Sequence, residues 1–305
     1  LAGTLYVCAT PIGNLSDITL RALDVIRRAD VVAAEDTRLT RKLLSHYDIS
    51  KKLISYREHN RVQAGKRILE LLRDGSDVAL VTDSGMPAVS DPGQHLVSMA
   101  IEAGLEVYVM PGPNAALTAL VLSGLSTDRF VFEGFLPRKG PERAERLEQL
   151  SREPRTIIIY ESPQRVVKTL EDLRRQLGGE RRCSLSRELT KKFEETIRGT
   201  VSSVLRAISS REVKGECVLV VAGAAESDRR SQLEDRSRGM EMGGSSGMNE
   251  ELEAMIRAYA GLLISTGSSR RDAATRISAA TGRRWRPIYR LITAISEDEA
   301  DPESS

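Results

Sequence analysis

Val78-Ala79-Leu80-Val81-Thr82-Asp83-Ser84-Gly85-Met86-Pro87-Ala88-Val89-Ser90-Asp91-Pro92-Gly93 is the stretch on which the reading of this chain turns. It leaves an apolar strand and enters a helix, and the turn between them holds two glycines, two prolines and two aspartates. Glycine lets a backbone approach a neighbour closely and proline fixes its course, so the segment is a rigid loop. It stands at the carboxyl end of a strand, where open α/β sheets bind ligands. An ordinary strand-to-helix turn explains one glycine or proline but not this density with two carboxylates. The Gly-Lys-Ser/Thr ending of a phosphate loop is missing.

Outward from this loop, β-rich runs alternate with helical periodicity up to about Gly112, which argues a sheet with crossover helices. Strands are expected over 4–9, 31–35, 53–57, 78–82 and 106–110, with helices such as 20–28, 64–73 and 93–103 between them. Asp74-Gly75 and Gly104 mark helix ends, where glycine takes the left-handed conformation. The loop Ala9-Thr10-Pro11-Ile12-Gly13-Asn14-Leu15 follows the first strand and meets the same rim if the two strands are neighbours. It lacks the G-x-G-x-x-G pattern, which weakens a nicotinamide or flavin reading.

Beyond Pro111-Gly112-Pro113, Asn114 caps a helix carrying Leu117, Leu120 and Val121 that stops at Gly124. A second α/β lobe follows, with strands expected over 130–133, 156–160, 182–186, 195–199 and 217–222 and part of its sheet antiparallel. The expected domains are thus 1–112 and 113–223, two α/β lobes, then a flexible linker over 224–248 rich in Ser, Arg, Glu, Gly and Met, then a three-helix module over 249–297. In that module Leu252, Met255, Ile256, Tyr259, Leu262 and Leu263 share one helix face, and Ser269-Arg270-Arg271-Asp272 reads as a capping box.

The 45 basic and 43 acidic side chains nearly cancel, so any attraction for nucleic acid is local. It sits in the tail, where seven arginines and one aspartate fall between Ser268 and Arg290, interleaved with Trp285 and Tyr289. That combination suits phosphate attraction with stacking on exposed bases; a solvated helix pair with Trp285 in its core is the plainer alternative. Cys8, Cys183 and Cys217 lie far apart in apolar runs and read as buried thiols of a reducing compartment. His46, His59 and His95 lack metal-ligand spacing, and no metal is expected. No apolar run reaches the roughly 18 to 20 residues that cross a bilayer, so a cytoplasmic protein is expected. Because the first residue is Leu1, native residues preceding it are left open.

Six blocks carry a resemblance: Ala9 to Leu15, Ala34-Glu35-Asp36-Thr37-Arg38, Val81 to Gly93, Pro111-Gly112-Pro113, Glu133-Gly134-Phe135-Leu136-Pro137 and Tyr160-Glu161-Ser162. In this order they resemble the signature of the tetrapyrrole methylase superfamily, and within it the branch that 2′-O-methylates a cytidine in the decoding region of 16S rRNA. Ser84 stands where that family more usually has alanine. The resemblance implies two α/β lobes with S-adenosylmethionine (SAM) folded in the cleft between them, a 16S rRNA or 30S substrate and a homodimer. It implies cofactor contacts from Pro11, Asp83, Ser84, Gly85, Pro87, Val89 and Asp91 in the first lobe, and from Leu122, Ser123, Glu133, Gly134 and Tyr160 in the second.

A ribose hydroxyl is a poor nucleophile and needs a nearby base or acceptor. Glu35 and Asp36 after the second strand, and Glu58 with His59 and Asn60 after the third, are the candidates. Asp36 has a plain alternative as helix cap and His59 as a surface histidine. Arg38 and Lys139, with Arg270, Arg271, Arg283 and Arg284 of the tail, are candidate phosphate ligands. A methylase of a tetrapyrrole or other small molecule on the same scaffold is the alternative function, and a ligand-sensing nucleic-acid regulator a more distant one.

Overall fold

The computed structural model describes residues 1–224, 250–281 and 285–294, with only the backbone of residues 250–252 and 294. The first sheet is parallel throughout, in the order β3-β2-β4-β1-β5: β1 (Leu5–Cys8), β2 (Val31–Ala34), β3 (Lys52–Ser55), β4 (Val78–Val81) and β5 (Val107–Met110). Its inner strands β2, β4 and β1 are apolar on both faces because helices cover both. Val31, Ala33, Val78 and Leu80 face the core of α3 (Arg61–Arg73) and α4 (Gly93–Glu102). Val32, Ala34, Ala79 and Val81 face that of α1 (Leu20–Arg28) and α2 (Thr37–His46). Alternate residues of a strand thus supply alternate cores.

The crossovers after β1 and β2 run over one face and those after β3 and β4 over the other. Strand β4 therefore lies between two neighbours whose following helices are on the opposite side of the sheet, and the loops part there into a crevice.

The second sheet is mixed, in the order β6-β7-β10-β8-β9: β6 (Phe130–Phe135), β7 (Thr156–Glu161), β8 (Arg182–Arg187), β9 (Glu195–Thr200) and β10 (Cys217–Val221). Only β6 and β7 pair in parallel; β10 runs antiparallel to β7 and β8, and β8 to β9. One face packs on α6 (Pro141–Ser151), α7 (Val166–Leu177) and α8 (Val201–Ser209) through Leu147, Leu170, Leu173 and Val204. Helix α5 (Ala115–Ser123), capped by the Asn114 side chain on Leu117 N–H at 3.0 Å, covers the other with Ala116, Ala119 and Leu120.

Both sheets belong to one compact unit, Leu1–Ser231, and Gln232–Ser305 is a second. The second contains α9 (Glu250–Ser265), α10 (Arg270–Thr281) and α11 (Trp285–Ala294). They bury Ile256, Ala260, Ala273, Ala274, Ile277, Ile288 and Ile292 together. Ser269 does cap α10, accepting from Asp272 N–H at 3.1 Å. The apolar face expected on α9 is only partly used: Ile256 is buried, whereas Met255, Tyr259 and Leu262 stay about half-exposed, because the small Ala260 sets the line of closest packing. The Trp285 and Tyr289 rings stack on one another at 4.6 Å, both partly buried against this core. Most of the expected linker, over 225–248, lies outside the described residues.

Candidate functional site

Three strand ends build the crevice wall. The loops after β1 and β4 are tied by reciprocal backbone hydrogen bonds between Thr10 and Gly85, 2.9 and 3.2 Å, and the Thr10 hydroxyl donates to Thr82 O at 3.1 Å. The loop after β2 joins them where Asp36 N–H donates to Asp83 Oδ1 at 2.8 Å and the Thr82 hydroxyl donates to Glu35 Oε2 at 3.3 Å. Asp91 folds the far half of the long loop, its Oδ1 accepting from Ala88 N–H and Gly93 N–H at 2.8 and 2.7 Å. Ala88 and Ser90 are held left-handed, at φ 70° and 64°, a conformation that disfavours residues with a Cβ.

From the second sheet, the ends of β6 and β7 and the start of β10 close the other side. The enclosed cleft measures about 420 Å³ and carries Glu35, Asp83, Ser84, Gly85, Val89, Asp91 and Tyr160 on its walls. Tyr160 is wedged edge-on between the Phe132 and Phe135 rings, at 4.9 and 5.8 Å. Glu161 is buried beside it, bound by the Thr169 hydroxyl at 2.7 Å and Ser162 N–H at 2.8 Å. A second cavity of about 330 Å³ shares Ile12, Thr82, Asp83, Ser84 and Glu216 with the first and extends past Pro11 toward α2.

Burial in the cleft removes water from Glu35, and Asp83 and then Asp91 add like charge; together they outweigh the Thr82 hydrogen bond and raise its pKa above the ordinary 4.5. Asp36 is opposite in kind. It caps α2 by accepting from Arg38 N–H at 2.8 Å and forms a two-pronged pair with the Arg38 side chain, which holds its carboxyl well below the usual range.

The remaining sequence candidates scatter. Pro11 lines the second cavity only, and Pro87 is buried behind the loop, lining neither. His59 is exposed on the one-turn helix Glu58–Asn60, away from both walls. Glu133 falls at a bulge in β6, between Phe132 and Gly134 in the pairing with β7. It lines a separate hollow, where Arg146 holds it at 2.6 Å. Gly134 (φ 62°) lets the bulge approach the long loop, since a Cβ there would stand 2.9 Å from Ser90 Oγ. Ser123 is buried, accepting from Leu125 N–H at 3.1 Å, and Leu122 O accepts from Arg198 at 2.6 Å; neither lines the cleft. Lys139 is exposed on the loop before α6. Arg270 and Arg271 are exposed at the start of α10; Arg283 and Arg284 lie outside the described residues.

The cleft also uses residues that the sequence did not single out: Met86, Ser90, Ala115, Phe135, Glu161, Ser162, Cys217 and Val218. Of these, Met86, Ser90, Phe135, Glu161 and Ser162 stood in blocks with a visible pattern, but without a pattern that marked them individually. Cys217 and Val218 enter because β10 is central in its sheet. All three cysteines are free and buried, and burial pushes each thiol up to about 12. Among the described residues, no cluster of His, Cys, Asp and Glu suits a metal ion, and no helix is long and apolar enough to cross a membrane.

Residues 4–205 match the family of tetrapyrrole (corrin/porphyrin) methylases. A ribosomal RNA small subunit methyltransferase I from Synechocystis is 42% identical over 296 residues, covering 97% of this chain and 99% of that protein. Its counterpart in Halalkalibacterium halodurans is 50% identical over 224 residues, 73% of this chain and 77% of that protein. Among solved structures, a cobalt precorrin-4 methyltransferase superposes with a TM-score of 0.57 at 17% identity, covering 72% of this chain and 94% of that one. A uroporphyrin-III C-methyltransferase of Thermus thermophilus, complexed with S-adenosylhomocysteine (SAH), gives 0.53 at 20% identity, covering 72% and 97%. These two likenesses concern the fold alone. The chain belongs to the tetrapyrrole methylase family and, within it, to the ribosomal RNA small subunit methyltransferase I branch.

Proposed function

We propose that the protein uses SAM to methylate the ribose 2′-hydroxyl of a cytidine in the decoding region of 16S rRNA, acting on the small ribosomal subunit in the cytoplasm. The observation that carries this reading is a cleft that sets Glu35 on the wall beside features that fit the donor, in a chain whose curated relatives are named for ribosomal RNA methylation.

The fit to SAM rests on the cleft itself. Its volume is that of a small-molecule site. Gly85, at φ 84°, lets the long loop pack closely on its neighbours, since a Cβ there would stand 3.3 Å from Ile12 and 3.6 Å from Pro113 O, and so fixes the cleft floor. Ile12, Met86, Val89 and Tyr160 offer apolar surface for an adenine, while Asp83, Asp91 and Glu35 give the negative field that suits an ammonium and a sulfonium. The residues of this chain proposed to hold the cofactor are Asp83, Ser84, Gly85, Val89, Asp91 and Tyr160, with Ile12, Met86 and Ala115 added. When bound, SAM supplies a methyl group already activated on sulfur.

The protein's own part is alignment and proton handling. Glu35 accepts the proton of the sugar hydroxyl as the oxygen attacks, and Thr82 fixes the carboxylate by its hydrogen bond. A carboxylate whose pKa is raised is a better proton acceptor than an ordinary one, whereas Asp36, committed to its helix and to Arg38, is a poor one. We assign Asp36 and Arg38 to shaping the rim and leave His59 out of the chemistry.

A homodimer belongs to the same proposal. It is supported by Tyr108 and Val109 on the edge strand β5 and Val121 on α5, apolar side chains more than half exposed in one chain. Incubation with methyl-labelled SAM and 30S subunits lacking the modification should place label on a ribose. Label on a base, or none, would reject the assignment.

A further inference from the structure

We propose that the second cavity, between the β1 loop and α2, is the seat of the target nucleotide, with Lys42 holding its phosphate. This rests on the methylation reading above and deepens it, since neither Lys42 nor Leu39 belongs to the assignments made there.

The cavity and the cofactor cleft meet along Thr82, Asp83 and Ser84. Thr82 is also the residue bonded to Glu35, so the shared wall is where an acceptor oxygen from one side comes nearest to both the carboxylate and the other side. Leu15, Leu39, Leu43 and Pro11 give the cavity apolar lining, and Asp83 a polar one. Leu15 and Leu39 are 38% and 48% exposed, a cost in water that a flat base laid between them would remove. An extruded base needs a slot of this kind, apolar on its faces and polar at one end.

Charge points the same way. Lys191, which also lines the cavity, is already held by Glu188 at 2.9 Å and Glu216 at 3.3 Å. Lys42 lines the cavity and, with its exposed neighbour Arg41, has no ion pair among the described residues. A cation left unpaired at the mouth of an apolar slot is suited to one phosphate. The slot is also stiff. Gly13 packs so closely on the β8–β9 hairpin that a Cβ would stand 2.9 Å from Leu189 O, and Asn14 N–H donates to Thr190 Oγ1 at 3.0 Å.

The test uses the full chain and the variants Lys42→Glu, Lys42→Arg and Leu39→Asp, each checked for a parental melting curve. Methylation of unmodified 30S subunits is followed at several salt concentrations, and SAH binding is measured by calorimetry. KM for the subunits should rise about tenfold in Lys42→Glu and Leu39→Asp, the salt slope of Lys42→Glu should fall by about one, and Lys42→Arg should behave as the parent. SAH affinity should stay parental in all three. A loss of SAH affinity in Leu39→Asp would assign the cavity to the cofactor, and an unchanged KM in both substitutions would remove the nucleotide from it; either overturns the proposal. A parent protein that labels nothing would instead refute the methylation reading itself.

Discussion

Glu35 shows how one side chain ties stability to chemistry. Its carboxyl is raised above 4.5 by burial and by the facing Asp83 and Asp91, so the fold favours its neutral form. The group therefore contributes full stability below the ordinary value, and that contribution is lost as pH climbs through the raised one. Glu35→Gln, neutral at every pH, should melt above the parent at pH 7 to 8 and level with it in acid below pH about 4, measured by thermal denaturation. The same substitution should lower kcat by about 10² to 10⁴ while SAH affinity changes little, and the parent's rate should rise with pH through the raised pKa where the variant's does not. Equal rates in the two proteins would take the proton from Glu35. In the sequence Glu35, Asp36 and His59 were equivalent, three polar groups just after strands. Burial separates them: Glu35 lies on the cleft wall, Asp36 is spent on Arg38, and His59 faces solvent. That difference is tertiary, and no local pattern encodes it.

The loop after β4 draws its shape from strain as well as from its glycines and prolines. The sequence made its rigidity legible, because Gly85, Pro87, Pro92 and Gly93 are each visible as letters. It did not make legible that Ala88 and Ser90 would be the left-handed residues, since both are ordinary elsewhere. Ala88→Gly should relieve about 1 kcal/mol of backbone strain, partly offset by the greater freedom of the unfolded chain, so the melting temperature should hold or rise slightly. Calorimetry should then find weaker SAH binding, because the loop loses its fixed course; a tighter complex would show that the strain serves no positioning role. Strands were readable because two-sided burial leaves runs such as Val31–Ala34 wholly apolar, and Asn114 announced α5 as its cap. Glu133 follows Phe132, which packs in one cluster with Ile158 and Tyr160, so the alternation of the strand points Glu133 to the other face, where it meets Arg146.

At the level of the whole chain, each of the two compact units has a core of its own, Leu1–Ser231 around its two sheets and Gln232–Ser305 around Ile256, Ile277 and Ile288. The existence of two lobes and a helical tail could be read from the rhythm of apolar runs. The contribution of Cys217 and Val218 to the cleft could not, because it depends on β10 crossing the middle of a mixed sheet some 130 residues after the long loop begins. The tail's arginines were expected to act with Trp285 and Tyr289 as stacking platforms. In the folded module those rings stack on each other, so attraction for phosphate is the property left to argue from. A protein ending at Ser231 keeps the cleft, the second cavity and every core of the first unit, and should bind SAH with parental affinity. Its KM for 30S subunits should rise by about tenfold or more at physiological salt, and the slope of log KM against log salt should fall by about 0.7 to 0.9 for each phosphate the tail neutralises. An unchanged KM with an unchanged slope would locate all substrate binding in the first unit and leave Arg270 and Arg271 as solvated surface.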